Sequence, residues 1–327
     1  MSPDVTGVRL GVDVGATKIE IVAFDPASRT VVDRRRALTA RTADAFVRQI
    51  AELTTAMELE IQRRSVMSPL GMCVPGLLDA GRGQIVCSAN CGWLVGVPLR
   101  HDLEIALDRP VIMDNDAVCF AMAQSLALRH RDVHTVFAAI LGTGVGGALL
   151  IDGEPVRGRH GMVGEWGHNP LPPAGQVAGR RDREAEESSP ACGCGRVGCI
   201  ETWLGAPALE REYARLSGQI IAACAIADAA AAGDPHAIHV LDRFVDRLAR
   251  SLAGVINVID PDAIVLGGGL SNLAVLYQAV PLAWEDYVLA NRPATLLLPP
   301  AFGDSAGAIG AALLRSVDRT TGISRAS

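Results

Sequence analysis

Three cysteines fall within eight positions of the stretch CGCGRVGCIE, residues 192 to 201. Thiolates at Cys192, Cys194 and Cys199 have a spacing suited to wrapping a metal ion, and the glycines at 193, 195 and 198 permit the sharp folds this needs. A tetrahedral zinc site takes a fourth ligand, and His168 in GEWGHNPLP is the nearest suitable one, with 23 residues intervening. A redox centre is a weaker reading because no Cys-x-x-Cys pair is present, and a disulfide clasp suits small secreted chains rather than one of 327 residues. Glu165 and Glu201 flank the proposed metal site, which would hold both carboxylates rigidly towards a polyhydroxylated ligand. The other five cysteines, Cys73, Cys87, Cys91, Cys119 and Cys224, are scattered among apolar residues and read as small core side chains.

Three glycine-rich turns offer a second kind of chemistry. Backbone N–H groups in such turns approach phosphate oxygens closely, because no Cβ intervenes. Asp13, Gly15, Thr17 and Lys18 form the first turn; Gly142, Thr143, Gly144, Gly146 and Gly147 the second; Gly267, Gly268 and Gly269 the third. Each read alone is also just a turn. None has the G-x-x-x-x-G-K-[ST] spacing of a P-loop, and strands rather than helices follow the first two, which disfavours a dinucleotide-binding fold. Lys18 is the single lysine in the sequence, conspicuous against a general use of arginine. The run DND, residues 114 to 116, closes an apolar strand and opens a helix. One of its residues can cap that helix, and a carboxylate placed there can take a hydroxyl proton as a general base.

The elements that must position these groups follow from periodicity. GVRLGVDVG, IEIVAFD and TVVDRRRALT read as three strands, and Phe46, Ile50, Leu53, Met57 and Ile61 recur at helical spacing in the segment after them. The stretch AILGTGVGGALLID repeats the opening GVDVGATKIEIVAFD, with Gly15 falling on Gly144. This predicts a mixed α/β chain of two related lobes with a cleft between them. Residues 172 to 190 shift to Pro, Gly, Arg and Glu and read as a mobile insertion. AIHVLDRFVDRLARSLAGVINVI predicts a long amphipathic helix, and GDSAGAIGAALLRSV a glycine-started, tightly packed one. The formal charge of −6, and the twelve residues before Asp13, too few for a helix-turn-helix module, argue against nucleic acid as a partner. No apolar run approaches the roughly 20 residues that span a bilayer. The expected location is the cytoplasm, with reduced thiols.

Taken in order, DVGATK, CVPG, SANCGWLVGVPL, DNDA, LGTGVGG, GEWGHNPLP, CGCGRVGCIETW, DPDAIVLGGG and GDSAGAIGAA resemble the motifs of the ROK family of sugar kinases along nearly the whole chain. The resemblance implies the actin-like, hexokinase-like ATPase fold. Its N-terminal lobe would span 1–116, completed by 303–327, and its C-terminal lobe, with the metal motif and nucleotide turns, 117–302. Asp116 matches the catalytic base. Gly76, Asn90, Asn115, Glu165, His168 and Glu201 match sugar-pocket positions, and His168, Cys192, Cys194 and Cys199 match ligands of a structural Zn²⁺. Asp13, Gly15, Thr17 and Lys18, with Gly142, Thr143, Gly144 and Gly146, match phosphate-binding segments, and Gly267 to Gly269 lie where the adenosine part of ATP is held. The implied cofactors are ATP and Mg²⁺, and the implied assembly is a homodimer. The implied reaction is phosphorylation of a hexose at its terminal primary hydroxyl, fructose first and then glucose or mannose. An N-acetylhexosamine kinase is the alternative, and a non-catalytic sugar sensor a third reading. Ala148 and Val118 depart from residues frequent in the family, and the segment between His168 and Cys192 is longer than in most members.

Overall fold

The computed structural model describes residues 7–61, 69–79, 81–88, 90–128, 131–174, 189–290 and 292–315. In chain order the elements begin with β1 (Arg9–Val14), β2 (Lys18–Asp25), β3 (Thr30–Leu38), α1 (Ala43–Glu60), β4 (Leu70–Val74), β5 (Leu77–Asp79), β6 (Gln84–Cys87), α2 (Leu99–Leu107), β7 (Val111–Asn115) and α3 (Asp116–Leu128). They continue with β8 (Thr135–Leu141), β9 (Val145–Ile151), β10 (Glu154–Pro155), α4 (Glu201–Leu204), α5 (Ala206–Ser217), α6 (Ala223–Ala231), α7 (Pro235–Ile259), β11 (Ala263–Gly267), α8 (Leu276–Trp284), β12 (Leu296–Leu298) and α9 (Ala306–Leu313). Among the described residues no helix is long and apolar enough to cross a membrane.

The chain divides into two compact units, Met1–Ala123 with Phe302–Ser327, and Gln124–Ala301. The division falls inside α3 rather than at Asp116. The first half of that helix packs with unit 1, where a Cβ at Gly310 of α9 would run into the Cys119 carbonyl, whereas Gln124 accepts the Ala301 N–H at 2.7 Å within unit 2.

Unit 1 holds a sheet in the order β3-β2-β1-β4-β7 and unit 2 one in the order β10-β9-β8-β11-β12. In each, a strand hairpins into a second and that into a third, all antiparallel, while the fourth joins the first in parallel and the fifth joins the fourth in parallel. The self-similarity of the two glycine hairpins thus extends to the connectivity of whole sheets. The consequence for chemistry is direct. In sheets of this kind ligands gather beyond the carboxyl ends of the parallel strands. In unit 1 those ends are the turn after β1 with Asp13 and Lys18, the turn after β4 with Gly76, and the β7–α3 junction with Asn115 and Asp116. In unit 2 they are the turns Gly142–Gly144 and Gly267–Gly269.

Cores form where the periodicity predicts. Helix α1 lays Phe46, Ile50, Thr54 and Met57 on its sheet, so the buried stripe includes Thr54, while Leu53 and Ile61 sit at its margin. Each fully buried apolar side chain of this size contributes about 1.5–3 kcal/mol. The long helix α7 is capped by Asp234, which accepts the His236 and Ala237 N–H groups; the amphipathic pattern predicts one buried face, but the middle of the helix, Phe244 to Ala253, is buried on every side in unit 2. Helix α9 seats directly on β1 and β4, and a Cβ at Gly71 would overlap the Ala311 carbonyl. Cys73, Cys91 and Cys119 are buried as expected, but Cys87 and Cys224 are exposed. Cys87 ends the small β5–β6 hairpin, and Cys224 lies away from the face through which Ala223 and Ile226 of α6 pack. Most of the 172–190 insertion, residues 175–188, lies outside the described residues. The short strands β10 and β12, the β5–β6 hairpin and helices α2 and α8 carry too few periodic positions to stand out in the sequence.

Candidate functional site

In unit 1 the β1–β2 turn closes when the Gly15 N–H donates to the Lys18 carbonyl at 2.9 Å, and Thr39 Oγ1 donates to the Gly15 carbonyl at 2.7 Å. Asp13 pairs with Cys73 across to β4, and Cys73 with Asp114 across to β7, so the three lie in one row of the sheet. Desolvation raises the Asp13 carboxyl above its ordinary pKa. The Cys73 thiol opposes this, the charges of Asp116 and Glu20 add to it, and Lys18 offsets part of it. Asn115 caps α3, its Oδ1 accepting the Val118 N–H at 2.8 Å, which leaves its amide NH₂ for a ligand. Asp116 opens the helix with Oδ1 accepting the Ala117 N–H at 2.9 Å. Its carboxyl is open to solvent yet enclosed enough that desolvation raises its pKa, against the pull of the Ala117 N–H and its own. Gly76 has φ +97°, a conformation open to glycine, and a Cβ there would strike the Cys87 carbonyl; Asn90 is exposed in the loop beyond.

A network not legible from motifs supports this half-site. Glu20 of β2 is 3% exposed, its Oε1 accepting from Ser305 Oγ at 2.5 Å and its Oε2 from Arg36 Nε at 2.6 Å. Ser305 precedes α9, so the pair anchors that helix start where Gly307 lies against the Asp13 carboxylate. The signal available in the sequence was an acid between isoleucines inside a strand, which must be paired once buried.

In unit 2 the second and third glycine turns are neighbours, because β8 and β11 run parallel and Gly268 leaves no room for a Cβ beside the Leu141 carbonyl. The Gly142 N–H closes the second turn on the Gly144 carbonyl at 3.0 Å, and the Val145 N–H goes to Glu201 Oε2 at 3.0 Å. No described residue engages the N–H groups of Thr143 and Gly144. A small cavity opens beside this turn, lined by Thr143, Cys192, Gly193, Glu201, Thr202 and Arg211 among others.

The cysteine stretch folds back on the GEWGHNPLP segment through a short bridge from Pro170 to Cys199, and on itself through one from Ala191 to Val197. The Trp166 indole N–H donates to the Gly146 carbonyl at 2.7 Å, fastening the turn that carries Glu165 and His168 to β9. One ligand atom each from His168, Cys192, Cys194 and Cys199 lies within 4.8 Å of all the others. The Cys192 Sγ to His168 Nδ1 separation is 3.6 Å and Cys194 Sγ to Cys199 Sγ is 3.7 Å. A tetrahedron built on Zn–S bonds of about 2.3 Å has edges of roughly 3.8 Å, so the four side chains fit a zinc ion. Desolvation, and then the neighbouring thiols, push Cys199 up to about 12, and desolvation raises Cys192, while the Arg196 N–H lowers Cys194. Cys192 and Cys199 held this way resist ionisation until a cation joins them. His168 Nε2 faces Glu165 Oε2 at 3.9 Å, on the ring edge opposite the thiols.

Paired sheets of one connectivity, glycine turns at their carboxyl ends and an acid opening the helix after the last strand of the first are the actin-like, hexokinase-like fold of sugar kinases. A model of the ROK family matches residues 9–317, and the chain belongs to that family. It is 35% identical over 310 residues to the N-acetyl-D-glucosamine kinase of Pectobacterium carotovorum subsp. carotovorum (strain PC1), covering 94% of this chain and 99% of the relative. Among solved structures, the ROK hexokinase from Thermus thermophilus superposes with a TM-score of 0.80 at 29% identity, covering 94% of this chain and 97% of that one. A ROK family glucokinase from Streptomyces griseus, in complex with glucose and AMPPNP, gives 0.71 at 26% identity, covering 94% and 98%.

Proposed function

We propose that the chain is an ATP-dependent sugar kinase that phosphorylates an N-acetylated hexosamine, N-acetylglucosamine foremost, at its terminal primary hydroxyl. The observation that carries the sugar assignment is end-to-end identity of about one residue in three with N-acetyl-D-glucosamine kinases. It favours this reading over the fructose-first expectation drawn from the motifs. The hexokinase and glucokinase similarities keep unmodified hexoses as the second reading.

Asp116 accepts the proton of the sugar hydroxyl as its oxygen bonds to the γ-phosphorus of ATP and the bond to the bridging oxygen of ADP breaks. The raised pKa of its carboxyl makes it a stronger base than an exposed aspartate. The Thr143 and Gly144 N–H groups of the second turn, together with the first turn and Lys18, bind and orient phosphate oxygens. Asp13 would hold the Mg²⁺ that accompanies the nucleotide and offsets phosphate charge. Glu165, His168 through Nε2, Asn115 and Glu201 take sugar hydroxyls. His168 Nδ1 with Cys192, Cys194 and Cys199 would hold a zinc whose four protein ligands leave no place for a reacting water, so its part is structural.

The test is ADP release from Mg-ATP by purified protein with N-acetylglucosamine, N-acetylmannosamine, glucose, mannose and fructose. The highest kcat/KM is expected with N-acetylglucosamine. An unmodified hexose ahead by tenfold or more would replace the sugar assignment, and no sugar-dependent ADP with any of them would refute the kinase reading.

A further inference from the structure

The short helix α4 carries Glu201 at its first residue, and its surroundings give that carboxylate a task separate from any sugar. Glu201 Oε2 accepts the Val145 N–H at 3.0 Å, and a Cβ on Gly144 would lie 2.5 Å from the same oxygen. At the other end of α4 the Ala206 N–H donates to the Gly142 carbonyl at 2.7 Å. The helix is itself held. Trp203 lies under the Arg247 guanidinium at 4.8 Å, Arg247 donates to Glu212, and Arg211 Nη2 donates to the Thr202 carbonyl at 3.0 Å. The Gly142–Gly146 hairpin is therefore cross-bonded to a fixed element at both shoulders.

We propose that Glu201 is a positioning residue for this hairpin, so that nucleotide binding depends on it even when no sugar is present. The inference rests on the reading of the hairpin as a phosphate-binding turn. By accepting the Val145 N–H, Glu201 fixes the turn in the shape that leaves the Thr143 and Gly144 donors unengaged by any described residue. It does so at a cost, because a carboxylate beside a phosphate turn repels the ligand by like charge. Hydrogen bonding and charge thus act in opposite senses on the nucleotide, and two variants separate them. Glu201→Gln keeps an acceptor oxygen and removes the charge, whereas Glu201→Ala removes both.

The experiment is calorimetric titration of the full chain with Mg-ADP in the absence of sugar, with hydrogen exchange at the Val145 amide followed in parallel. Loss of one charge-assisted hydrogen bond corresponds to roughly tenfold weaker ADP binding in Glu201→Ala. Glu201→Gln should bind at least as tightly as wild type, and Val145 exchange should accelerate only in Glu201→Ala. If Glu201→Ala does not fold, Gly144→Ala, which displaces the carboxylate from the other side, should give the same weakening and the same faster exchange. ADP affinity and exchange left unchanged by Glu201→Ala, or by Gly144→Ala where it stands in, would overturn the proposal, as would equal changes in the Ala and Gln variants. Wild-type protein that binds no Mg-ADP would overturn the phosphate-turn reading together with it.

Discussion

Asp116→Asn isolates the chemistry assigned to the β7–α3 junction. The local structure should survive the change, since the Asn Oδ1 can still accept the Ala117 N–H now held at 2.9 Å and Asn115 continues to cap the helix. What is lost is a proton acceptor, typically worth about 10²–10⁴ in rate. At about 1.36 kcal/mol per tenfold, this is roughly 2.7–5.4 kcal/mol of barrier. Stability should move the other way. Desolvation holds the Asp116 carboxyl above the ordinary value of 3.8, so the folded state disfavours its charge. As pH rises from 3.8 through the raised pKa, the unfolded chain is the more readily ionised and wild type loses stability that the Asn variant keeps. The variant should therefore melt no lower than wild type at neutral pH, with the difference closing as pH falls towards 3.8. Wild-type kcat/KM should fall on the acid side through a pKa above 3.8. Coupled ADP release at saturating sugar and thermal unfolding across pH measure both effects. A variant turnover within tenfold of wild type would refute the assignment of Asp116 as base.

Gly71→Ala should cost about 1–3 kcal/mol by forcing α9 off its seat on β4, read as a lower urea midpoint, and an unchanged midpoint would show that α9 is free to shift. Metal analysis of purified protein should find about one zinc per chain, absent after chelation or in Cys199→Ser together with a lower melting temperature; metal-free protein of full stability would remove the zinc assignment. Arg247→Met should destabilise the chain by less than the roughly 3–5 kcal/mol of an orphaned buried charge, because Glu212 retains Arg243 at 2.8 Å; a larger loss in chemical denaturation would mean that Arg243 does not compensate.

Local sequence already carries the inventory of chemistry and the frames that hold it. Cysteine spacing depends on the chain only over a few residues, so the Cys192–Cys199 wrap was readable, and so were glycine hairpins between alternating strands and the acid run opening α3. Burial periodicity likewise placed α1 on its sheet, whereas it read α7 as one-faced and the middle of that helix is buried on every side. Tertiary structure decided what depends on residues distant in sequence. It brings His168 to within 3.6 Å of Cys192, and it closes Ser305 on Glu20, a pairing 285 positions apart that no local pattern encodes. It leaves Cys87 and Cys224 in solvent despite apolar neighbours, because burial follows which face of an element meets the core. It also turns Glu201 onto the Val145 amide, since a side chain's partner is set by the backbone that folding brings beside it and by the cost of leaving that N–H unpaired.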